Sequence, residues 1–364
     1  MTPLDLDHNA SSPLRPAAAA AMRACDGVGN PASGHAAGRA ARRLLEDARE
    51  RVAGLLGAHP DEVIFTSGAT EANNLAVFGL APGKSLAVSA IEHPCVVEPV
   101  RQLERGGAVV HWLPVDAVGR VDVAAIPADA GLVALMLANH ETGAVQPVAD
   151  VRAPVLCDGA QAVGKMPVRF RQLGVAALTA SAHKFGGPAG VGLLLLKRGT
   201  AFAPQWFGGH QQGGRRPGTE PVALAVGLAA ALGEAVERMD ATRAAWTRQR
   251  RFLVEHLFTS ILNGPPLDDP GVLPNTVNLS FPGCRTDLLL MALDLAGVRA
   301  SGGSACSSGS LLPSPVLAAM GVPDDVLRSA VRFSLGPDST DAMVADAAGR
   351  IAACVRRIRG ERRV

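Results

Sequence analysis

No two cysteines of this chain stand at C-x-x-C spacing, and none repeats a cysteine–histidine interval of the kind a metal needs. Its six cysteines, Cys25, Cys95, Cys157, Cys284, Cys306 and Cys354, are scattered. Zinc, iron–sulfur ligation and a disulfide framework are therefore disfavoured, no metal site is expected, and the thiols read as reduced and mostly core-like. No apolar run is long enough to cross a bilayer, and the N-terminus lacks the basic-then-apolar order of a secretory signal. A membrane role is not expected, and the default location is cytoplasmic. Charge of one sign is also missing: 35 Lys and Arg oppose 33 Asp and Glu, for a net charge of +2. That leaves no footprint for nucleic acid, and the arginines near the C-terminus read as a solvated helix end. No internal repeat is visible.

What is present is a chain of 364 residues, enough for one large domain and a smaller companion. From Val63 to Leu196, short β-branched or leucine-rich runs alternate with helical patterns. The runs are Val63–Thr66, Ser85–Ser89, Val109–Leu113, Leu132–Leu137, Val155–Cys157 and Gly192–Leu196. Runs apolar on both faces predict an α/β fold with a mostly parallel sheet covered by helices, and such sheets bind ligands at the carboxyl ends of their strands. A helical pattern covers Val222–Met239 and a second continues to about Leu262, which puts a hinge near Asp240. Beyond it the pattern predicts a smaller α+β unit. Its strands are Thr276–Phe281 and Val331–Leu335, with helices over Asp287–Leu295 and Asp341–Ile358. The expected division is a large domain of residues 14–240 and a small domain of residues 1–13 and 241–364.

The polar residues of interest fall at predicted strand ends. Ser181-Ala182-His183-Lys184-Phe185-Gly186-Gly187-Pro188 follows the apolar Val175–Thr179 run. It would place Lys184 where a desolvated amine has a lowered pKa and can form a Schiff base. Pyridoxal phosphate most often needs such a lysine, with Ser181 and His183 as donors to its phosphate; the alternative is a surface lysine in a loop. Thr66-Ser67-Gly68-Ala69-Thr70-Glu71 opens a helix whose first N–H groups could hold a phosphate. Equally, Ser67 or Thr70 could simply cap that helix. Asp158-Gly159-Ala160-Gln161 follows Val155-Leu156-Cys157. Asp158 could pair with a protonated pyridine nitrogen and Gln161 with the ring oxygen, or Asp158 could be a turn residue bonding its own backbone. Taken jointly, the lysine and the aspartate favour the cofactor. The glycine-rich segment from Phe207 to Thr219 has no periodicity, and loops of that length are usually functional.

Two further features complete the inventory. Ser301-Gly302-Gly303-Ser304-Ala305-Cys306-Ser307-Ser308-Gly309-Ser310 is built of small residues with no apolar face, a composition that predicts a mobile loop. Its single cysteine reads as a nucleophile that travels between an active site and an acceptor, against the plainer reading of an inert thiol in a linker. Arg332-Phe333-Ser334-Leu335-Gly336 sets an arginine beside an apolar strand. There it could clamp a substrate carboxylate or form an ordinary surface salt bridge.

Collected, these segments resemble the cysteine desulfurases, a family of the class V aminotransferase fold. The likeness runs over nearly the whole chain, and also takes in Leu6-Asp7-His8-Asn9-Ala10, Asn30-Pro31-Ala32-Ser33-Gly34-His35, Glu92-His93-Pro94 and Arg216-Pro217-Gly218-Thr219. The stretch around Cys306, followed by Leu311-Leu312-Pro313-Ser314, looks like the branch serving nitrogen fixation or general iron–sulfur assembly. The resemblance implies a fold-type-I pyridoxal-phosphate enzyme and a homodimer. Lys184 would hold pyridoxal phosphate, with Asp158 on the ring nitrogen and Gln161 on the ring oxygen. Ala69, Thr70, Ser181 and His183 would meet the phosphate, with His93 on the ring face. Thr219 would reach the phosphate of the other subunit, and Arg332 would bind the carboxylate of L-cysteine. Cys306 would receive sulfur as a persulfide for an acceptor such as an iron–sulfur scaffold, leaving L-alanine. One departure stands out: Asn139-His140-Glu141-Thr142-Gly143 carries His140 where the family has a second asparagine, which alters a contact to cofactor or substrate. Selenocysteine cleavage, aminotransfer, and a scaffold without chemistry are the competing readings.

Overall fold

The computed structural model describes residues 3–303 and 313–361. Strand β1 (Leu4–Asp5) precedes a seven-stranded sheet made of β2 (Val63–Thr66), β3 (Leu86–Ser89), β4 (Val110–Leu113), β5 (Leu132–Ala134), β6 (Val155–Asp158), β7 (Ala177–Ser181) and β8 (Gly192–Leu196). Their spatial order is β2-β8-β7-β6-β5-β3-β4. Strands β4, β3, β5, β6 and β7 run parallel, while β8 is antiparallel to both neighbours. The fold is α/β with a mostly parallel sheet.

Successive side chains of a strand point to opposite faces, and both faces here are apolar. Phe65, Leu193 and Leu195 join one core with helices α1 (Pro16–Arg23), α2 (Ala36–Leu56) and, later in the chain, Val222–Glu237. Ile64, Leu194 and Leu196 join another, under α3 (Ala69–Leu80) and α4 (Pro94–Arg105). That two-sided burial makes the strands read as continuous apolar runs. The free edge at β2 is covered by side chains. Gln212, at φ 53°, accepts from the Phe65 N–H at 2.6 Å and donates to the Phe65 carbonyl at 2.8 Å. Arg49 donates to the carbonyl of Val63. An edge satisfied in this way offers little to a second chain.

After the short α5 (Phe170–Leu173), helix α6 (Val222–Glu237) gives way to α7 (Met239–His256), and the packing changes with it. Leu228 and Leu232 of α6 belong to the core of the large sheet, whereas Trp246 and Leu253 of α7 belong to a separate core. That second core holds Leu4 and Leu6 with Val277 and Leu279 of β10 (Thr276–Ser280) and Val331 and Phe333 of β12 (Ala330–Ser334). It is closed by α8 (Thr286–Leu295) and α11 (Asp341–Arg359), which flank α9 (Pro315–Ala319) and α10 (Asp324–Leu327). β1 pairs in parallel with β11 (Val298–Arg299).

The helical pattern read to about Leu262 is corrected here. Helix α7 ends at His256, a turn runs from Leu257 to Ser260, and Ile261–Asn263 forms β9 on the edge of β10. The signal was ambiguous because a short apolar run fits either element. Asn263 settles it, since its side chain donates to Asn278 and Ser280 of β10 at 2.8 Å each. The run from Leu132 also stops early, at Ala134, where the Met136 N–H turns to the Glu92 carboxyl.

Gly192 fixes how the strand ends meet. It pairs with Thr66 of β2 on one side and Ser181 of β7 on the other. A Cβ there would stand 2.6 Å from both the Ala180 carbonyl oxygen and the Gly68 Cα. Because both neighbours are backbone, Gly192→Ala should lower unfolding free energy by about 1–3 kcal/mol, measured by urea denaturation. A wild-type midpoint would contradict this close-packed account of the strand ends.

Candidate active site

Strands β6 and β7 are parallel neighbours, so their carboxyl ends deliver side chains to one place. β7 ends at Ser181 and leads through a single helical turn, Ala182–Lys184, to the lysine. The Lys184 amine donates to the main-chain carbonyls of Asn9 at 2.7 Å and Ala10 at 3.0 Å. Asp158 ends β6 and is buried. The turn reading of it holds, and its second oxygen has a further partner. Oδ1 accepts from the Ala160 N–H at 2.9 Å, as a turn residue does, while Oδ2 accepts from Asn73 Nδ2 at 3.0 Å. Asn73 is held in turn by the Thr179 hydroxyl at 2.9 Å. Gln161 is buried, with Nε2 donating to the Asn9 carbonyl at 3.1 Å and Oε1 accepting from Lys165 at 2.7 Å.

A cavity of about 420 Å³ opens above these groups, a size suited to a small organic ligand. Ala69, Thr70, His93, His140, Asp158, Gln161, Ser181, His183 and Lys184 all line it. One wall is the start of α3. Its N-cap is Gly68, and no side chain caps the helix, so neither Ser67 nor Thr70 performs the capping role considered above. First-turn N–H groups left without a side-chain acceptor favour an anion. His183, across the cavity, has its pKa lowered to about 4 by burial and by the nearby Lys184 and Lys165 amines.

The opposite wall carries two imidazoles. His93 caps α4 through Nδ1, which accepts from the Cys95 N–H at 3.2 Å. In the neutral ring its proton is thereby assigned to Nε2. His140 meets it edge to face, with centroids 5.5 Å apart. Burial, then His93, Arg332 and Lys184, hold the His140 pKa well below the usual value. Beside them lie two buried carboxyls. Burial raises Glu141 to about 8, against the opposing hydrogen bond from Ser314, whose hydroxyl donates to Oε2 at 2.6 Å. Glu92 also rises to about 8, through burial and then Asp158.

Two sequence-selected residues among those described, Arg332 and Thr219, do not line this cavity. Arg332 is 2% exposed, which removes the surface salt-bridge reading. It pairs with Asp7 at 2.7 Å and donates to the His140 carbonyl at 3.2 Å, so it touches the site through His140. Its Nε has no hydrogen-bond partner among the described residues. Thr219 is exposed, in the loop that Arg216 ties to Glu71 of α3 at 2.8 Å. Cys306 lies outside the described residues. The sequence reading missed Asn9, Asn73, Glu92, Glu141 and Lys165 as site residues. Asn9, Glu92 and Glu141 sat inside quoted motifs without a role. Asn73 was marked only as a polar residue one turn after Ala69 on an apolar helix, and Lys165 only by its place four residues after Gln161.

The chain matches the family described as aminotransferase class-V over residues 5–346. It is similar to the IscS-like cysteine desulfurase of Mycobacterium tuberculosis, 42% identical over 366 residues covering 93% of each chain. A solved structure described as a NifS-like protein has a TM-score of 0.90 at 33% identity, covering 97% of this chain and 99% of that one. Another, described as SspA in complex with cysteine, has a TM-score of 0.80 at 31% identity, covering 93% and 100%.

The raised Glu92 pKa gives a pH dependence. Below 4.5, folded and unfolded chains both hold this proton; above it the unfolded chain releases a proton that the folded one keeps, up to about 8. Stability therefore falls as pH rises through that window. Glu92→Gln retains the acceptor for the Met136 N–H and removes the titration, so its urea midpoint should fall less steeply with pH than that of the wild type. An equally steep fall would contradict the placement of this proton.

Proposed function

The chain belongs to the aminotransferase class-V family, as one of its cysteine desulfurases, and from that premise we propose how its own residues convert L-cysteine to L-alanine and bound sulfur. The observation that supports the reading most is the meeting of Lys184 and Asp158 at adjacent strand ends, in one cavity with the uncapped start of α3. An amine, an anion-binding helix start and a buried carboxyl in a space of about 420 Å³ fit pyridoxal phosphate. Lys184 would hold it, Asp158 would meet the ring nitrogen and Gln161 the ring oxygen. Ala69, Thr70, Ser181 and His183 would hold the phosphate, and His93 would lie against the ring. When bound, the cofactor supplies the electron sink that makes the substrate Cα–H acidic.

The protein's part is to place protons and charges. Lys184, fixed by two carbonyls, is positioned to take the Cα proton. His93, with its neutral-state proton on Nε2, serves the substrate thiol. The Cys306 thiolate would attack the substrate sulfur: an S–S bond forms, the C–S bond breaks, its electron pair stays with carbon, which takes a proton to become the methyl group, and Cα recovers a proton from Lys184 to give alanine. Arg332 and His140 serve the substrate carboxylate side of the site. In the domain division proposed here, residues 14–240 bind the cofactor, and residues 1–13 and 241–364 form the small domain that carries Cys306. A homodimer in which Thr219 reaches the partner's phosphate, a cytoplasmic location, and delivery to an acceptor protein such as an iron–sulfur scaffold complete the proposal. No helix among the described residues is long and apolar enough to cross a membrane.

Exposure of the cofactor-loaded protein to L-cysteine should add one sulfur atom to the Cys306 peptide, read by mass spectrometry. Cys306→Ala should retain the visible cofactor band and lose nearly all alanine production. Unchanged alanine production in that variant would overturn the persulfide role and favour a selenocysteine-type lyase.

A further inference from the structure

A second amine, this one buried, stands next to the cavity and has no part in the reading above. Lys165 is 4% exposed and does not line the cavity. Burying a lysine is costly unless it finds partners, and its partners are specific. Nζ donates to Gln161 Oε1 at 2.7 Å and to Asn9 Oδ1 at 2.8 Å. Burial, then the like charges of Lys184 and Arg332, push its pKa well below the usual lysine value; two donated bonds need only the two hydrogens of an uncharged amine. His8 and His183 are the other titratable groups that feel it.

The Asn9 side chain is itself fixed. Its Nδ2 donates to the Thr276 hydroxyl at 2.8 Å, and its Oδ1 also accepts from Asn275 Nδ2 at 3.0 Å. Lys165 is thus tied on one side to a rigid amide and presents its other hydrogen to Gln161. This matters because a glutamine amide can present either oxygen or nitrogen to a ligand, with opposite consequences for an anionic ring oxygen. The Asn9 carbonyl constrains only the Gln161 nitrogen; the contact from Lys165 constrains the oxygen, and the two together set the amide plane.

We propose that Lys165 is a positioning residue for the cofactor, holding the Gln161 amide so that its N–H, and not its oxygen, is presented to the ring oxygen. The inference rests on the role given to Gln161 in the proposed function. Without Lys165 the Gln161 oxygen is left buried with no donor, the amide is released, and the ring oxygen loses its hydrogen bond. An oxygen relieved of a donor holds a proton more tightly, so the pH midpoint of the visible cofactor band rises.

The test is a spectrophotometric pH titration of the pyridoxal-phosphate-loaded protein as wild type, Lys165→Met, Lys165→Gln, Gln161→Ala and the Lys165→Met/Gln161→Ala double variant. Lys165→Met should raise the midpoint by about one pH unit, Gln161→Ala should raise it equally, and the double variant should add nothing further. Lys165→Gln, which keeps a donor, should return the midpoint toward the wild type, and Lys165→Leu, which removes the donor as methionine does, takes the place of the methionine variant if that one does not fold. A band that Gln161→Ala moves and neither Lys165 variant moves overturns the inference alone, as does a double variant whose shift is the sum of the two. A band that Gln161→Ala leaves in place overturns the role of Gln161 and this inference with it.

Discussion

The site depends on how Asn9 is held. Its main-chain carbonyl accepts from both Lys184 and Gln161, its side-chain oxygen accepts from Lys165 and Asn275, and its side-chain nitrogen donates to Thr276. Its own N–H donates to the Ser334 hydroxyl at 2.9 Å. One residue near the N-terminus therefore joins the ends of β6 and β7 in one core to β10 and β12 in the other. Removing either side would leave buried donors unpaired, and each such group costs about 1–3 kcal/mol. The Lys184 amine is thus located by backbone oxygens, which cannot compete with it for a proton.

Charge around the cavity is arranged in the same sense. Lys184 and Arg332 lie close enough to disfavour charge on the buried Lys165 amine, and the carboxyls of Glu92 and Glu141 hold their protons up to about pH 8. Asp7 is spent on Arg332 and Asp158 on Asn73 and the Ala160 N–H. Such a pocket favours anions in general, because low-dielectric walls strengthen each attraction. The His140 imidazole adds no charge at neutral pH, since burial, then His93, Arg332 and Lys184, hold it deprotonated.

Local signals carried much of this architecture. The runs that became β2 and β8 were bounded correctly because they are apolar on both faces and end in glycine or polar turns. Lys184 was visible for the same reason, standing just past such a run. What escaped was non-local. Asn9 acts through residues more than 150 positions away in the chain, such as Gln161 and Asn275. Lys165 was passed over, because nothing nearby in the chain reveals that the surrounding segments bury it. β9 was absorbed into the preceding helix, since only its pairing with β10 distinguishes three residues of strand from a frayed helix end.

The presence of two lysines at the site, Lys184 half-buried and Lys165 buried, makes the central claim open to a direct measurement. Reducing the pyridoxal-phosphate-loaded protein with borohydride and mapping the modified peptide identifies the amine that carries the cofactor. The account predicts the label on Lys184 and none on Lys165. A label on Lys165, or on any lysine away from the end of β7, would contradict it.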